Sequence, residues 1–292
     1  MNEIPGIAAF EQEITRRAEE VQEGLRFFFH TWRTEQGTAI SRLLESMSYS
    51  ALGGGKRFRP VLALWTAEAL GGSHTDTLPW ALAVELIHTY SLIHDDLPCM
   101  DDDEERRGRP TNHVVYGVST ALLAGDALLT EAFGLLARAY QGAQPSCGQL
   151  VGLLAHGAGV AGMVGGQALD LAAEGATVDW EELQRIHRLK TGALIAIAAE
   201  GAAICAKVSA QQVAQARAFG EVLGLAFQIA DDLLDADEDG QEGRSYVSHF
   251  GVEGARQELD RVTLEAQSLL RKFPKPHPWL QAMVEWNRQR KK

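Results

Sequence analysis

Acidic residues crowd two short stretches of the sequence. Seven carboxylates fall within eleven positions, Asp95 to Glu105, in IHDDLPCMDDDEERRGRPTNH, directly after the apolar run WALAVELIHTYSLI. Seven more acids lie in DDLLDADEDGQE, residues 231–242. Clustered carboxylates are typical ligands of hard divalent cations, although a solvated acidic loop needs no ligand at all. The spacing within each cluster discriminates between these two interpretations.

The second cluster has the spacing of a single helix face. Asp231, Asp232 and Asp235 occupy positions i, i+1 and i+4. At about 100° per residue, Asp231 and Asp235 stand roughly 40° apart and repel one another unless a cation lies between them. Acids at a helix C-terminus also oppose the macrodipole, which disfavours a simple frayed end. The spacing therefore favours a cation site.

The first cluster repeats this theme with a wider spacing. On an ideal helix Asp101 would lie about 120° around from Asp95. Pro98 disfavours helix at Leu97, so we expect the chain to widen there and return Asp101 to the side of Asp95. Two such clusters facing each other across a cavity would suit Mg²⁺, which completes its shell with water and phosphate oxygens.

Basic residues follow in positions that suit a phosphate ligand. GGGKRFRP, residues 53–60, places three basic side chains after three glycines and before a helix, a plausible anion cradle. Arg106 and Arg107 come directly after the first acidic cluster. Lys190 interrupts the apolar helix HRLKTGALI. A lysine that binds phosphate and one that only extends its apolar stem to the surface are equal alternatives there.

Composition narrows the class of protein. The 292 residues are 46% hydrophobic and 23% charged, as in soluble globular proteins. Fourteen of the 39 acids lie in the two clusters, which leaves 25 acids against 27 basic residues. Without a basic stripe the chain is a poor nucleic-acid binder. The sequence has no run of about 18 apolar residues, so no membrane span is expected. Three widely spaced cysteines match no metal or disulfide pattern and indicate a reducing cytoplasm.

The chain is predicted to be helical almost throughout, as one all-α domain spanning residues 1–292. Long Ala- and Leu-rich segments without internal proline cover residues 61–70, 80–93, 120–140, 181–206 and 211–235. Asp179 with Glu182 and Ser209 with Gln212 are capping pairs that predict helix starts. The glycine-rich piece AHGAGVAGMVGGQALD lacks the preceding strand of a dinucleotide loop, so we interpret its small residues as sites of close helix packing.

Five motifs, in order along nearly the whole chain, resemble those of the short-chain trans-isoprenyl diphosphate synthases, a family that includes farnesyl diphosphate synthase. They are GGGKRFRP, IHTYSLIHDDLPCMDDDEERRGRPTNH, GGQALDL, KTGALI and FQIADDLLD. The resemblance implies an isoprenoid-synthase helical bundle around a deep central cavity, usually as a homodimer. It also implies transfer of the prenyl group of an allylic diphosphate to isopentenyl diphosphate.

The resemblance also assigns roles to individual residues. Three Mg²⁺ ions are expected to bridge the diphosphate to Asp95, Asp101, Asp231 and Asp235, with Asp96 and Asp232 as further or water-mediated ligands. Arg106 and Lys190 would bind the allylic diphosphate, and Lys56, Arg59, His88 and Arg107 the isopentenyl diphosphate. Oxygens at Lys190, Thr191 and Gln228 would face the allylic cation. Without the motif, His88 would be interpreted as a core histidine.

Product length is expected to depend on Tyr90 and Ser91. Tyr90 precedes Asp95 by five residues, about 7.5 Å deeper along the helix. An aromatic residue there goes with a C15 product in the family, which favours farnesyl diphosphate. A C20 geranylgeranyl diphosphate synthase is the alternative, and a non-catalytic subunit or a terpene cyclase fits the acidic and basic motifs less well.

The sequence departs from the family in one place. The loop after the second acidic motif, ADEDGQEGRSYVSHFG, is short, and Arg244 stands where a lysine is expected. Arginine keeps the charge but presents a planar fork, so closure over the diphosphates can differ from the family pattern.

Overall fold

The computed structural model describes residues 4–142, 147–174, 178–236, 245–275 and 277–290. Within these ranges the fold is all-α, as predicted, apart from one short hairpin. The helices are α1 (Ile7–Gln36), α2 (Ser41–Ala51), α3 (Phe58–Ala69), α4 (His74–Asp95), α5 (Asn112–Tyr116), α6 (Val118–Ala139), α7 (Cys147–Ala158), α8 (Met163–Ala172), α9 (Trp180–His187), α10 (Ala193–Cys205), α11 (Ala210–Asp235), α12 (Tyr246–Leu270) and α13 (Pro278–Gln289).

The hairpin lies directly after the first acidic cluster. Strand β1 (Glu105–Arg106) pairs antiparallel with β2 (Arg109–Pro110). Arg107 and Gly108, with φ of 56° and 71°, form the two-residue turn. Positive φ at both central positions matches the twist of antiparallel strands. Two residues per strand are too few to show an alternating pattern, which is why sequence analysis did not detect this hairpin.

Helix α10 lies in the core of the bundle, packed against α3, α4, α7 and α11. Its residues from Leu194 to Cys205 are all buried except Glu200. Gly201 lets α4 approach closely, because an added Cβ would lie 2.1 Å from the Trp80 ring. The Trp80 indole N–H donates to the carbonyl of Ala198 at 3.1 Å. Truncating this buried ring to alanine would cost about 3–5 kcal/mol.

Helix α4 carries much of the predicted site and contains a proline in its second turn. Pro79 cannot donate a backbone hydrogen bond, and its ring disturbs the preceding turn. The hydroxyl of Tyr140 repairs the adjacent gap by accepting from the Trp80 N–H at 3.2 Å and donating to the Asp76 carbonyl at 2.7 Å. The end of α6 thereby fixes the start of α4.

The predicted single helix over 181–206 is interrupted. Between α9 and α10 the residues Arg188–Gly192 form a π-helical turn. Helix α8 presses on this turn at Gly166, where an added Cβ would lie 2.1 Å from the Lys190 backbone nitrogen. This contact confirms close packing by the glycine-rich segment. Such bulges occur often at functional sites, and this one carries Lys190 and Thr191.

The predicted helix starts are present. The Asp179 side chain accepts from the Glu182 N–H at 2.9 Å, and Ser209 with Gln212 forms a complete capping box. Each cap satisfies backbone donors that the first helical turn leaves without partners. Helix α11 then runs without a break to Asp235, so it includes the whole second acidic motif.

Two segments meet a simple criterion of length and apolar composition for membrane spans, which core helices of soluble proteins also meet. They are Val118–Ala139 and Cys147–Ala172, both with a mean hydropathy of 1.4. A third of each window, 33%, is buried in the bundle. The buried part packs against α4 and α10. The remaining faces leave apolar side chains exposed.

Candidate active site

A cavity of about 1110 Å³ collects most of the predicted site residues. It lies between α4, the hairpin, α8, the π-helical turn, α11, α13 and residues 53–57 ahead of α3, which we call the glycine-rich loop. The predicted residues that line it are Lys56, Arg59, His88, Tyr90, Ser91, Asp95, Arg106, Arg107, Lys190, Thr191 and Asp231. Asp96, Asp101, Gln228, Asp232 and Asp235 are not among its lining residues, and Arg244 lies outside the described residues.

The first acidic cluster is shaped by a sharp turn, and the helix is not widened as predicted. Helix α4 ends at Asp95, and the chain folds back so that the Asp101 N–H donates to the Asp95 carbonyl at 2.8 Å. The expected return of Asp101 to Asp95 therefore occurs by helix termination. Burial raises the pKa of Asp95 to about 6, opposed by Lys190 and reinforced by Asp101. A nearby cation would favour the ionised carboxylate.

Asp96 contacts protein partners in the position where sequence analysis placed a metal ligand. It is 3% exposed and accepts from Arg106 Nε at 2.6 Å. Arg106 also donates to Asp103 at 3.2 Å. The carboxylate of Asp96 is thus used to orient Arg106, which lines the cavity. The role of Asp96 as a further or water-mediated metal ligand stays a prediction.

The second acidic cluster faces the cavity through Asp231. Its carboxylate accepts from Arg290 Nη2 at 2.5 Å, and the same guanidinium donates to the Phe227 carbonyl at 2.9 Å. Burial raises the pKa of Asp231, and Arg290 opposes that shift. Sequence analysis gave Arg290 no role, because nothing local connects the residue after α13 with the end of α11.

Asp232 and Gln228 contact protein groups outside the cavity for which they were predicted, and their predicted roles stay predictions. Asp232 is 7% exposed and accepts from Gln228 Nε2 at 2.9 Å and from the Tyr246 N–H at 2.7 Å. Gln228 lines a second cavity, of about 760 Å³, between α9, the π-helical turn, α11 and α12. Asp232 therefore attaches the start of α12 to α11. In this geometry neither side chain lines the cavity that holds Asp95 and Asp231.

Lys190 has a partner that sequence analysis did not identify. Its ammonium, on the π-helical turn, donates to Asp170 Oδ2 on α8 at 2.6 Å. Asp170 ends the glycine-rich motif GGQALD. A carboxylate directly after a small-residue segment was the available signal, and its pairing with Lys190 depends on the close approach at Gly166.

The basic side chains form a positively charged wall. The Lys56 ammonium lies 4.5 Å from the centre of the Trp286 ring, and Arg59 Nη1 lies 3.3 Å from His88 Nε2. Arg107 Nη1 donates to the Gly54 carbonyl at 2.6 Å. Burial and neighbouring arginines lower the pKa of His88 well below its usual value, so its imidazole is neutral at pH 7. A diphosphate is the complementary ligand.

Tyr90 lies in the wall of the cavity and is held there by its neighbours. It is 5% exposed and packs edge-on against His94, with ring centres 5.7 Å apart. His94 Nε2 lies 3.0 Å from the Leu122 carbonyl. Gly125 leaves room for it, since an added Cβ would lie 2.0 Å from that nitrogen. The ring of Tyr90 is therefore rigidly placed between α4 and α6.

The donor set is compatible with magnesium. Among the described residues, no group of three His, Cys, Asp or Glu side chains forms a complete metal site. Instead each cluster offers a pair, Asp95 with Asp101 and Asp231 with Asp235. Mg²⁺ is usually bound by one or two carboxylates and keeps its other positions for water and substrate phosphate oxygens. The two pairs fit that incomplete, substrate-dependent coordination.

Comparison with known proteins is consistent along most of the chain. A sequence profile for polyprenyl synthetase matches residues 40–246. Farnesyl diphosphate synthase of Bacillus subtilis is 43% identical over 81% of this chain and 85% of its own length. A chloroplastic geranylgeranyl pyrophosphate synthase of Catharanthus roseus is 42% identical over 80% of this chain and 69% of its own.

Solved structures extend the similarity to the fold. The crystal structure of an FPP/GFPP synthase from Zymomonas mobilis superposes with a TM-score of 0.86 at 37% identity, covering 94% of this chain and 99% of that one. A geranyltransferase from Legionella pneumophila gives a TM-score of 0.85 at 30% identity, covering 97% and 98% of the two chains. With the matching profile and the shared bundle, the chain belongs to the polyprenyl synthetase family.

Proposed function

We propose that this protein condenses an allylic diphosphate, dimethylallyl or geranyl, with isopentenyl diphosphate and releases mainly farnesyl diphosphate. The observation that carries the proposal is a single cavity lined by Asp95, Asp231, a basic wall and the ring of Tyr90. Relatives named farnesyl diphosphate synthase, up to 48% identical, support the C15 product. Because a geranylgeranyl pyrophosphate synthase is also among the relatives, a C20 product is the alternative to be tested.

In the proposed mechanism the chain binds two diphosphates and shields a carbocation. Asp95, Asp101, Asp231 and Asp235 would hold up to three Mg²⁺ ions, which when bound neutralise charge on the allylic diphosphate. Arg106 and Lys190 would donate to that diphosphate. Their charge assists departure of the diphosphate and so ionisation of the allylic C–O bond.

The isopentenyl diphosphate would bind the basic wall formed by Lys56, Arg59 and Arg107. Neutral His88 would donate a hydrogen bond to this diphosphate through a ring N–H and would serve as a ligand, not as a base. The hydroxyl and carbonyl oxygens of Thr191 and Lys190 would face the cation. After the new C–C bond forms, the departed diphosphate takes the proton, so no side chain is required as a general base.

The direct test is an incubation with radiolabelled isopentenyl diphosphate, Mg²⁺ and a C5, C10 or C15 primer in turn, with products identified by mass spectrometry. We expect C5 and C10 primers to give C15 product and the C15 primer to be a poor substrate. Mainly C20 product would identify a geranylgeranyl diphosphate synthase. Absence of product with every primer would favour a non-catalytic subunit.

Tyr90 is proposed to limit chain length, with Ser91 leaving space beside it. Tyr90→Ala removes the ring from the wall, so we expect C20 or longer products to become the main fraction. Tyr140→Phe is the control, because Tyr140, directly after α6, is buried against the far end of α4 and does not line the cavity. Unchanged product length in Tyr90→Ala would show that another residue forms the floor.

The protein is proposed to act as a cytoplasmic homodimer. Along α5, α6 and α8 the side chains of Val114, Val118, Leu123 and Val164 are 47–56% exposed, an apolar surface that a second copy would cover. The described cysteines are all free, as expected for a reducing compartment. Leu123→Asp should lower the mass in light scattering from dimer to monomer. Leu264→Asp, at an exposed position on α12, should leave the mass unchanged.

A further inference from the structure

Arg57 behaves differently from the two basic residues beside it. Lys56, Arg57 and Arg59 all lie along the cavity, but the side chain of Arg57 is only 2% exposed and is ion-paired to the 4% exposed Glu85, donor and acceptor 2.5 Å apart. Arg57 Nη2 also donates to Gln22 Oε1 at 2.7 Å and to the Ala51 carbonyl at 2.6 Å. Both terminal nitrogens of the guanidinium thus bind protein groups, whereas the buried Nε has no hydrogen-bond partner.

The backbone of Arg57 is strained. Its φ of 49° and ψ of 41° lie in the left-handed region, two residues after Gly55, and Gly54 and Gly55 also have positive φ of 93° and 110°. A residue other than glycine pays roughly 1–2 kcal/mol for that conformation. Such strain persists only where the surroundings determine it. The buried hydrogen bonds of Arg57 are the interactions that do so, and α3 begins at the next residue.

The network connects the loop to the wall that would receive isopentenyl diphosphate. Glu85 lies three residues before His88 on α4, so both side chains share one helix face. Arg59 contacts that same His88 at 3.3 Å. Arg57 and Arg59 therefore attach the start of α3 to α4 at two adjacent points, and Gln22 adds a third attachment from α1. Asp231 and Lys190, which would face the allylic diphosphate, take no part in the contacts recorded for Arg57.

We infer that Arg57 is a positioning residue, which through Glu85 and Gln22 fixes the glycine-rich loop so that Lys56 and Arg59 meet the isopentenyl diphosphate. This inference rests on the proposed function. It separates two roles within one basic motif, since Lys56 and Arg59 touch substrate whereas Arg57 acts through the loop. Loss of the network should therefore weaken one substrate selectively.

The test is a steady-state analysis of Arg57→Lys, which keeps the charge but loses the fork that reaches three acceptors. We expect KM for isopentenyl diphosphate to rise about tenfold, because small displacements of binding groups are costly. KM for geranyl diphosphate should stay within about twofold and kcat within about threefold. Isothermal titration of wild type and variant with isopentenyl diphosphate alone should show the same loss of affinity without relying on turnover.

A milder variant protects the test against misfolding. Gln22→Leu removes one acceptor but leaves the Arg57–Glu85 pair, and a selective rise of about threefold is expected. The matched control is Arg17→Lys, because Arg17 likewise joins α1 to α3, through Glu68 at 2.7 Å, without lining the cavity. It should leave both KM values unchanged.

The outcomes separate this inference from the proposed function. Folded variants, checked by circular dichroism, whose two KM values rise equally, or whose affinity for isopentenyl diphosphate is unchanged, would overturn the positioning role alone. Wild-type protein that binds isopentenyl diphosphate but makes no product would instead overturn the proposed activity and leave the binding comparison intact. Selective loss in both variants supports the inference.

Discussion

The two aspartate motifs look alike in sequence but are built differently. In DDLPCMD the helix stops at its first aspartate, and a backbone turn returns Asp101 to Asp95. In DDLLD the helix continues through Asp235. In each motif the second of the two adjacent aspartates contacts protein groups. Asp96 accepts from the partly exposed side chain of Arg106, whereas Asp232 accepts from the buried backbone N–H of Tyr246.

The two adjacent aspartates of each motif therefore have different surroundings in the protein. In both motifs the first aspartate lines the cavity and the second anchors another element. The anchored elements differ, however, because Asp96 orients the hairpin that carries Arg106, whereas Asp232 attaches α12. Substitutions at matching positions in the two motifs should therefore have the same effect when the first aspartate changes and unequal effects when the second one changes.

The largest expected effect is equal in the two motifs. Asp95→Ala and Asp231→Ala should each lower turnover by about 10³-fold, because each removes a carboxylate needed for charge stabilisation at the diphosphate. Product formation from radiolabelled isopentenyl diphosphate measures the loss, and helical circular dichroism should be unchanged. Asp103→Ala is the control, an exposed acid of the first cluster, with activity expected within about threefold. Activity that survived both changes would contradict the metal assignment.

The second aspartates should differ in stability. Asp232→Ala leaves the buried Tyr246 N–H without that acceptor, so the free energy of unfolding in urea should fall by about 2–3 kcal/mol. Asp96→Ala leaves Arg106, whose side chain is 32% exposed and can be hydrated, and should cost about 1 kcal/mol or less. Equal losses would remove the structural distinction between the motifs.

Acid should loosen the second motif first. His187 stacks on Tyr246 with ring centres 6.0 Å apart, and burial lowers the pKa of His187 to about 4. The folded state therefore favours the neutral ring, and the resulting stability is present above about pH 6.5 and is lost as pH falls toward 4. Between pH 7 and 4, wild type should lose up to about 3 kcal/mol more than His187→Phe in urea unfolding.

The control for that experiment is His30→Gln, at an exposed position on α1, which should keep the slope of the wild type. Equal pH slopes for wild type and His187→Phe would show that this histidine is not responsible for acid loosening.

The smallest expected effect concerns Arg290, which contacts Asp231 and has no counterpart on Asp95 among the recorded hydrogen bonds of the described residues. A metal ion bound by Asp231 would compete with this guanidinium for the carboxylate. Arg290→Met should tighten Mn²⁺ binding, measured by electron paramagnetic resonance without substrate, by about two- to fivefold. Arg288→Met, whose parent residue pairs with Asp260 and Glu285, should leave the affinity unchanged. Equal affinities in both variants would mean that Arg290 does not compete with metal.

Features set by local sequence were predictable. The long helices and the caps at Asp179 and Ser209 follow from periodicity and from short-range hydrogen bonds, and the structure contains them. The collection of eleven predicted residues in one cavity was also accessible, because the order of the motifs carries that information. Fold class and most of the site therefore follow from the sequence.

Features set by contacts between distant elements were not predictable. The π-helical turn depends on Gly166 of α8 pressing against Lys190, and no property of residues 181–206 alone reveals it. The roles of Asp170 and Arg290 depend on partners twenty and fifty-nine residues away. Gln228 lines the other cavity, with its amide donating to Asp232 four residues along the same helix, so its predicted role toward the allylic cation stays a prediction.

Some residues that line the cavity or contact its lining lie outside residues 40–246, the part of the chain that matches the family profile. Gln22 of α1 supports Arg57, and Trp286 and Arg290 near the opposite end line the same cavity. Trimming the protein to its recognisable core would remove both supports. A purification tag joined close behind α13 would similarly load the segment that contacts Asp231, so kinetic work calls for a cleavable tag placed ahead of α1.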